Sequence, residues 1–86
     1  MFYTYVLKSK VGGQLYTGYT NDLRKRFKEH NSGKSTYTAK RGPYELIYYE
    51  ACSNESDART REKYLKTAMG KRYIQNRLKR FLSLMG

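Results

Sequence analysis

Cysteine occurs once in this 86-residue chain, at Cys52, and histidine once, at His30. A lone cysteine excludes an internal disulfide, and one residue of each kind falls short of the ligands a zinc centre takes. No apolar run approaches the roughly 18 residues needed to cross a bilayer. The opening MFYTYVLKSK has neither the charge, the apolar stretch nor the cleavage order of a signal peptide. Walker and dinucleotide fingerprints are missing as well. A cytoplasmic protein without disulfides, zinc or membrane anchor is expected. Magnesium stays open, because it accepts one carboxylate together with waters and substrate phosphates.

Acidic residues are also scarce: 7 Asp and Glu against 18 Lys and Arg leave a formal charge of +11. Such a density self-repels unless an acidic partner binds, and nucleic acid is the default. The basic residues split evenly between Lys8 to Arg41 and Arg59 to Arg80, while Glu45, Glu50, Glu55 and Asp57 lie between them. This pattern predicts one basic face. A disordered basic tail is disfavoured, because 38% apolar residues and ten tyrosines supply a packed core. The length allows one small domain over residues 1–86, and there is no repeat or linker.

FYTYVLKS, residues 2–9, is β-branched and aromatic, and QLYTGYT, residues 14–20, repeats that character after the turn signal Val11-Gly12-Gly13, so a hairpin is expected. Thr20, Asn21 and Asp22 offer N-cap oxygens to a helix in which Leu23, Arg26, Phe27 and His30 follow i, i+3, i+4, i+7 spacing, with Asn31-Ser32-Gly33 as its stop. SGKSTYTAKRGP, residues 32–43, reads as an exposed loop. YELIYYEA, residues 44–51, is a third strand, and the Ser53 to Asp57 cluster caps a longer helix whose Ala58, Glu62, Leu65 and Met69 share a stripe. Gly70 is expected to interrupt it before a last helix, about residues 71–84, with Ile74, Leu78, Phe81, Leu82 and Met85 on its apolar side.

Glu62 is the most informative position, because a lone carboxylate between Ala58 and Leu65 on an inward stripe needs a reason. An internal salt bridge to Arg26 or partial exposure is the plainer reading, and a metal ligand the functional one. Arg26 and His30 also fall on the inward side of their helix, so three unlike polar groups aim at the strand layer, as a phosphoryl-transfer site requires. The plainer readings are that His30 complements a helix C-terminus and that Arg26 lays its stem on apolar neighbours. Tyr5 and Tyr16 stand on adjacent strands, where core packing is the ordinary role of a tyrosine. Gly18 weakens its strand, which a bulge or a close backbone approach, such as a ligand phosphate, would explain.

Taken together, these positions resemble the GIY-YIG nuclease family, and most closely its small single-domain branch, similar to the nuclease module of the bacterial excision-repair nuclease. The resemblance covers about residues 3–69. Tyr16-Thr17-Gly18 matches the second signature triplet, while in the first Tyr5 is kept and Tyr3-Thr4 replaces the Gly-Ile before it. Arg26 lies ten residues after Tyr16, His30 one turn later, and DARTREKYLK maps the family's metal-binding glutamate onto Glu62. Asn76 has the spacing of a further asparagine used by many members, although it lies opposite the Ile74 and Leu78 stripe. By the same resemblance, Gly18 and the loop residues Lys34, Thr38, Lys40 and Arg41 border the substrate groove.

The resemblance implies an α/β (α+β) domain, a three-stranded antiparallel sheet flanked by helices. It further implies a metal-dependent DNA endonuclease, tied to DNA repair, that hydrolyses phosphodiester bonds with Mg2+ or Mn2+ on Glu62. Arg26 would neutralise charge on the phosphate. A tyrosine, ordinarily ionising near pH ~10, would serve as general base with help from the metal, Arg26 or His30. Tyr5 is favoured for that part and Tyr16 for positioning. The alternative, fed by the degenerate first triplet, is a weakly catalytic or non-catalytic DNA- or RNA-binding module. A monomer is expected, with a protein partner or DNA shape supplying the choice of substrate.

Overall fold

The computed structural model describes residues 1–33 and 41–85. Within them the chain forms β1 (Phe2–Ser9), β2 (Leu15–Thr20), α1 (Leu23–Asn31), β3 (Tyr44–Cys52), α2 (Glu55–Leu65), α3 (Ala68–Arg77) and α4 (Lys79–Met85). The strands make one antiparallel sheet in the order β2-β1-β3.

Each turn is closed by a side chain that the sequence placed there. The Ser9 hydroxyl accepts hydrogen bonds from the amides of Val11 and Gly12, and Gly13 takes a φ of 79° to bring the chain back. At the start of α1, the Lys25 amide donates to Asp22 Oδ1, and at the start of α2 the Asp57 amide donates to Asn54 Oδ1. The far end of α1 is tied to the sheet by Asn31, whose side chain donates to the Tyr44 carbonyl and accepts from the Tyr44 amide.

The two-residue period of β1 sends alternate side chains to two cores. Tyr5 and Leu7 pack with Tyr44, Tyr16, Leu23 and Phe27 on the α1 side. Val6 packs with Leu65, Ile74, Leu15 and Tyr64 on the side of α2 and α3. The Thr4 hydroxyl donates to the Ala58 carbonyl and fastens α2 to that second face. Helix α1 and the α2–α3 pair therefore cover opposite faces of the sheet.

Three local expectations change. Gly18 carries no bulge: β1 and β2 pair continuously from Tyr3↔Thr20 to Lys8↔Leu15, and the irregularity lies between β1 and β3 at Val6/Leu7. Gly70 does not interrupt a helix but sits inside α3. The break falls at Lys66 and Thr67, where the Thr67 hydroxyl accepts from the Gly70 amide as an N-cap. A Cβ at Gly70 would lie 2.7 Å from the Tyr64 carbonyl carbon, so the missing side chain lets α3 press against the end of α2. That early break turns Met69 to solvent, 67% exposed, instead of leaving it on the α2 stripe. The expected single C-terminal helix is split into α3 and α4 around Leu78. The side chain of Met85 lies outside the described residues.

Candidate nuclease site

The period of α1 buries His30 and leaves Arg24, Lys25 and Lys28 exposed, with Arg26 between the two extremes. His30 is 1% exposed and Tyr5, on the central strand, is also 1% exposed. The Tyr5 hydroxyl and His30 Nε2 lie 2.7 Å apart. Around the imidazole, Tyr16, Tyr5 and Tyr44 pack edge-on, with ring centroids 5.0, 5.7 and 6.4 Å away. Gly18 faces Tyr5 across the strand pair, and a Cβ there would lie 2.5 Å from Tyr5 Cζ. The close approach at Gly18 is made by the Tyr5 ring, which leans across β2 toward the sheet edge.

Burial sets the protonation of this pair. Loss of water pushes the Tyr5 hydroxyl up to about 12, helped by Tyr16 and Glu62 and opposed by Arg26. Burial, followed by the Arg26 charge, lowers His30 to about 4 against the smaller opposing pull of Glu29. Both are neutral at pH 7. Arg26 lies against the Tyr5 hydroxyl closely enough to stabilise its charged form. The 2.7 Å contact runs from the Tyr5 hydroxyl to Nε2 or from Nε2–H to the hydroxyl oxygen according to the imidazole tautomer.

Arg26 also bridges to Glu29, Nη1 to Oε1 at 3.1 Å, with its side chain 33% exposed. Beside it opens a notch of about 260 Å³ between Thr20, Asp22 and Glu29. Glu62 comes from α2, on the other face of the sheet, and its charge is the smallest of the influences that raise the Tyr5 hydroxyl. Its partner is Lys66, at 3.0 Å, and its side chain is 22% exposed, so of the two plainer readings partial exposure holds and the bridge to Arg26 does not form. Local pairs one helical turn apart thus satisfy both residues. Glu29 and Lys66 do not stand out in the sequence on their own, although their i, i+3 and i, i+4 spacing to Arg26 and Glu62 is the signal for them.

The remaining candidates are more scattered. Arg41 has its carbonyl held by the Ser9 hydroxyl at 2.6 Å, at the hairpin end of β1 and four residues along the strand from Tyr5. Asn76 is exposed on α3, while Ile74 of the same helix is buried. Lys34, Thr38 and Lys40 lie outside the described residues.

The donor set limits what ion could bind. Among the described residues no three His, Cys, Asp or Glu side chains cluster as metal ligands, so a zinc centre does not fit. One half-buried carboxylate, Glu62, suits a hard cation that completes its shell with other oxygens, as magnesium does.

Residues 1–79 match the GIY-YIG catalytic domain, and the chain belongs to that nuclease family. It is 49% identical over 67 residues to a UPF0213 protein of Clostridium perfringens, covering 77% of this chain and 71% of that one. To the UPF0213 protein YazA of Bacillus subtilis it is 44% identical over 77 residues, 85% and 77% of the two chains. The solution NMR structure of a UPF0213 protein from Bacillus halodurans superposes with a TM-score of 0.55 at 36% identity, covering 88% of this chain and 84% of that one. The α+β architecture with a three-stranded antiparallel sheet is that of the family. No helix among the described residues is long and apolar enough to cross a membrane.

Proposed function

We propose that this protein is a metal-dependent endonuclease that hydrolyses phosphodiester bonds of DNA at the β2 edge. The observation that carries the reading is the packing of Tyr5, His30 and Tyr16 beside Arg26 in a GIY-YIG domain, with the Glu62 charge felt at the Tyr5 hydroxyl. The net charge of +11 supports a polyanionic substrate. RNA would satisfy the same charge, and DNA is the polymer the family resemblance favours.

The phosphate would dock on Arg26, displacing Glu29 from the guanidinium and neutralising charge as the phosphorane develops, a contact typically worth about 3 to 4 kcal/mol. Burial divides the tyrosines between two tasks. Tyr5 is neutral, 1% exposed and committed to His30, so it holds Arg26 in place. Tyr16 is half-buried on the edge strand, and it takes the part of orienting the attacking water and, as phenolate, receiving its proton. This reverses the roles expected for the two residues from sequence. Glu62 would hold Mg2+ or Mn2+ in exchange for Lys66, and the bound ion would supply positive charge to polarise the phosphate.

The test incubates purified protein with supercoiled, branched and single-stranded DNA, with magnesium or with EDTA, alongside Glu62→Ala and Arg26→Ala. Magnesium-dependent strand breaks that both substitutions abolish are expected. Equal nicking by all variants refutes the enzyme. The competing reading, a non-catalytic binding module, draws on Lys66 occupying the Glu62 carboxylate, and predicts EDTA-insensitive binding with no breaks.

A further inference from the structure

Between β2 and the α2–α3 pair lies a groove of about 750 Å³ that meets the residues of the proposed chemistry at Tyr16 and Lys66. Its floor is apolar: Val6, Leu65 and Ile74 are 1%, 1% and 2% exposed. Its rim carries two ammonium groups, Lys66 and Lys71, and two carboxamides, Gln14 and Gln75. The volume is within the range of small-ligand sites, roughly 300 to 1,000 Å³.

We infer that this groove is a nucleotide subsite, seating one unpaired or flipped-out base with the phosphate next to it. An apolar slot accepts the faces of a base, which is the surface that unstacking exposes. Each glutamine amide offers both a donor and an acceptor to a base edge. The two lysines match the phosphates on either side of such a nucleotide. Continuity selects the ligand: Tyr16 lines the groove and also packs against His30, and Lys66 is bonded to Glu62. A strand crossing the candidate site would therefore run directly into this slot. The inference rests on the nucleic-acid reading of that neighbouring site and adds to it which part of the strand is held, and where.

The experiment titrates the intact 15N-labelled protein, in EDTA, with a short oligothymidylate and with an abasic oligomer of the same length and charge. Amide resonances of Leu15, Thr17 and Gln75 should shift with the base-bearing strand. Burying about 60 Å² of apolar base surface corresponds to about tenfold in affinity, so the abasic strand should bind about tenfold more weakly. Lys71→Ala should weaken both strands alike and reduce the salt slope by about 0.7, the value for one phosphate of a single strand. Equal affinity for the two strands, or shifts confined to α1, overturns the subsite. Cleavage in magnesium without groove shifts refutes the subsite and leaves the nuclease standing. Groove shifts without cleavage support the subsite and refute the nuclease.

Discussion

Acidification should unfold this protein through one imidazole. His30 is held at about 4 in the folded chain, against about 6.5 when exposed on unfolding. Between those values the unfolded chain carries a proton that the native chain does not, so stability rises with pH across the window and falls as pH drops. The gap of about 2.5 units, at about 1.4 kcal/mol each, amounts to about 3 kcal/mol, fully present above pH ~6.5 and lost by pH ~4. With His30 1% exposed, solvent screening removes little of it. For a domain whose total stability is of the order of 5 to 15 kcal/mol, that loss is a large share. Urea unfolding followed by circular dichroism from about pH 7 to about pH 4.5 would measure it, with the His30 ring titrated by NMR in the same samples. His30→Gln provides the reference, because it removes the imidazole titration while Glu55, whose carboxyl is lowered by hydrogen bonds from Arg59 and Tyr19, still titrates in the acid range. The wild type should lose about 2.5 kcal/mol more than the variant between about pH 7 and about pH 4.5. A His30 midpoint near 6.5, or parallel curves for the two proteins, would refute the buried Tyr5–His30 pair and the arginine placement that depends on it.

Further outcomes follow from the same geometry. Tyr16→Phe should lower the rate at saturating DNA by about a hundredfold or more, whereas Tyr5→Phe should cost less in rate but about 1 to 3 kcal/mol in stability, from the hydrogen bond lost to buried His30; the reverse ranking would return the base role to Tyr5. Gly18→Ala drives a methyl into the Tyr5 ring, and thermal unfolding should show a loss of about 1 to 3 kcal/mol together with reduced cleavage. Arg26→Ala should lower the cleavage rate by about 10² to 10³. Duplex binding should weaken with salt at about −0.9 per neutralised phosphate, and a flat dependence would contradict a phosphate-binding face.

The elements that sequence made legible are those set by local chemistry. Strand alternation in FYTYVLKS and the cap oxygens of Asp22 and Asn54 fixed β1, α1 and the start of α2 within a residue or two. The stripe of Leu23, Phe27 and His30 told which face of α1 turns inward. What was not legible depends on neighbours distant in sequence. Gly70 reads as a helix breaker until α2 is seen against it, and Gly18 reads as a ligand contact until the Tyr5 ring is seen across the strand. The division of labour between Tyr5 and Tyr16 depends on burial, which two tyrosines eleven residues apart do not reveal. The partners of Arg26 and Glu62 are readable in principle, since Glu29 and Lys66 stand one turn away.

A sheet of only three strands accounts for where the site forms. Helix α1 and helix α2 cover opposite faces, so side chains from both can meet only by going around an edge. Tyr5 is on the central strand, a single strand from that edge, and β2 carries no side chain at Gly18 to block the ring leaning across it. The Tyr5 hydroxyl is in this way within the influence of Arg26 from one face and Glu62 from the other. A fourth strand beyond β2 would separate the two charges by a further spacing of roughly 5 Å and close the groove beside Tyr16. Beside the open edge that usually exposes a small sheet to aggregation, the groove is lined by Lys66 and Lys71, charges of the kind that deter another strand and suit a phosphate backbone.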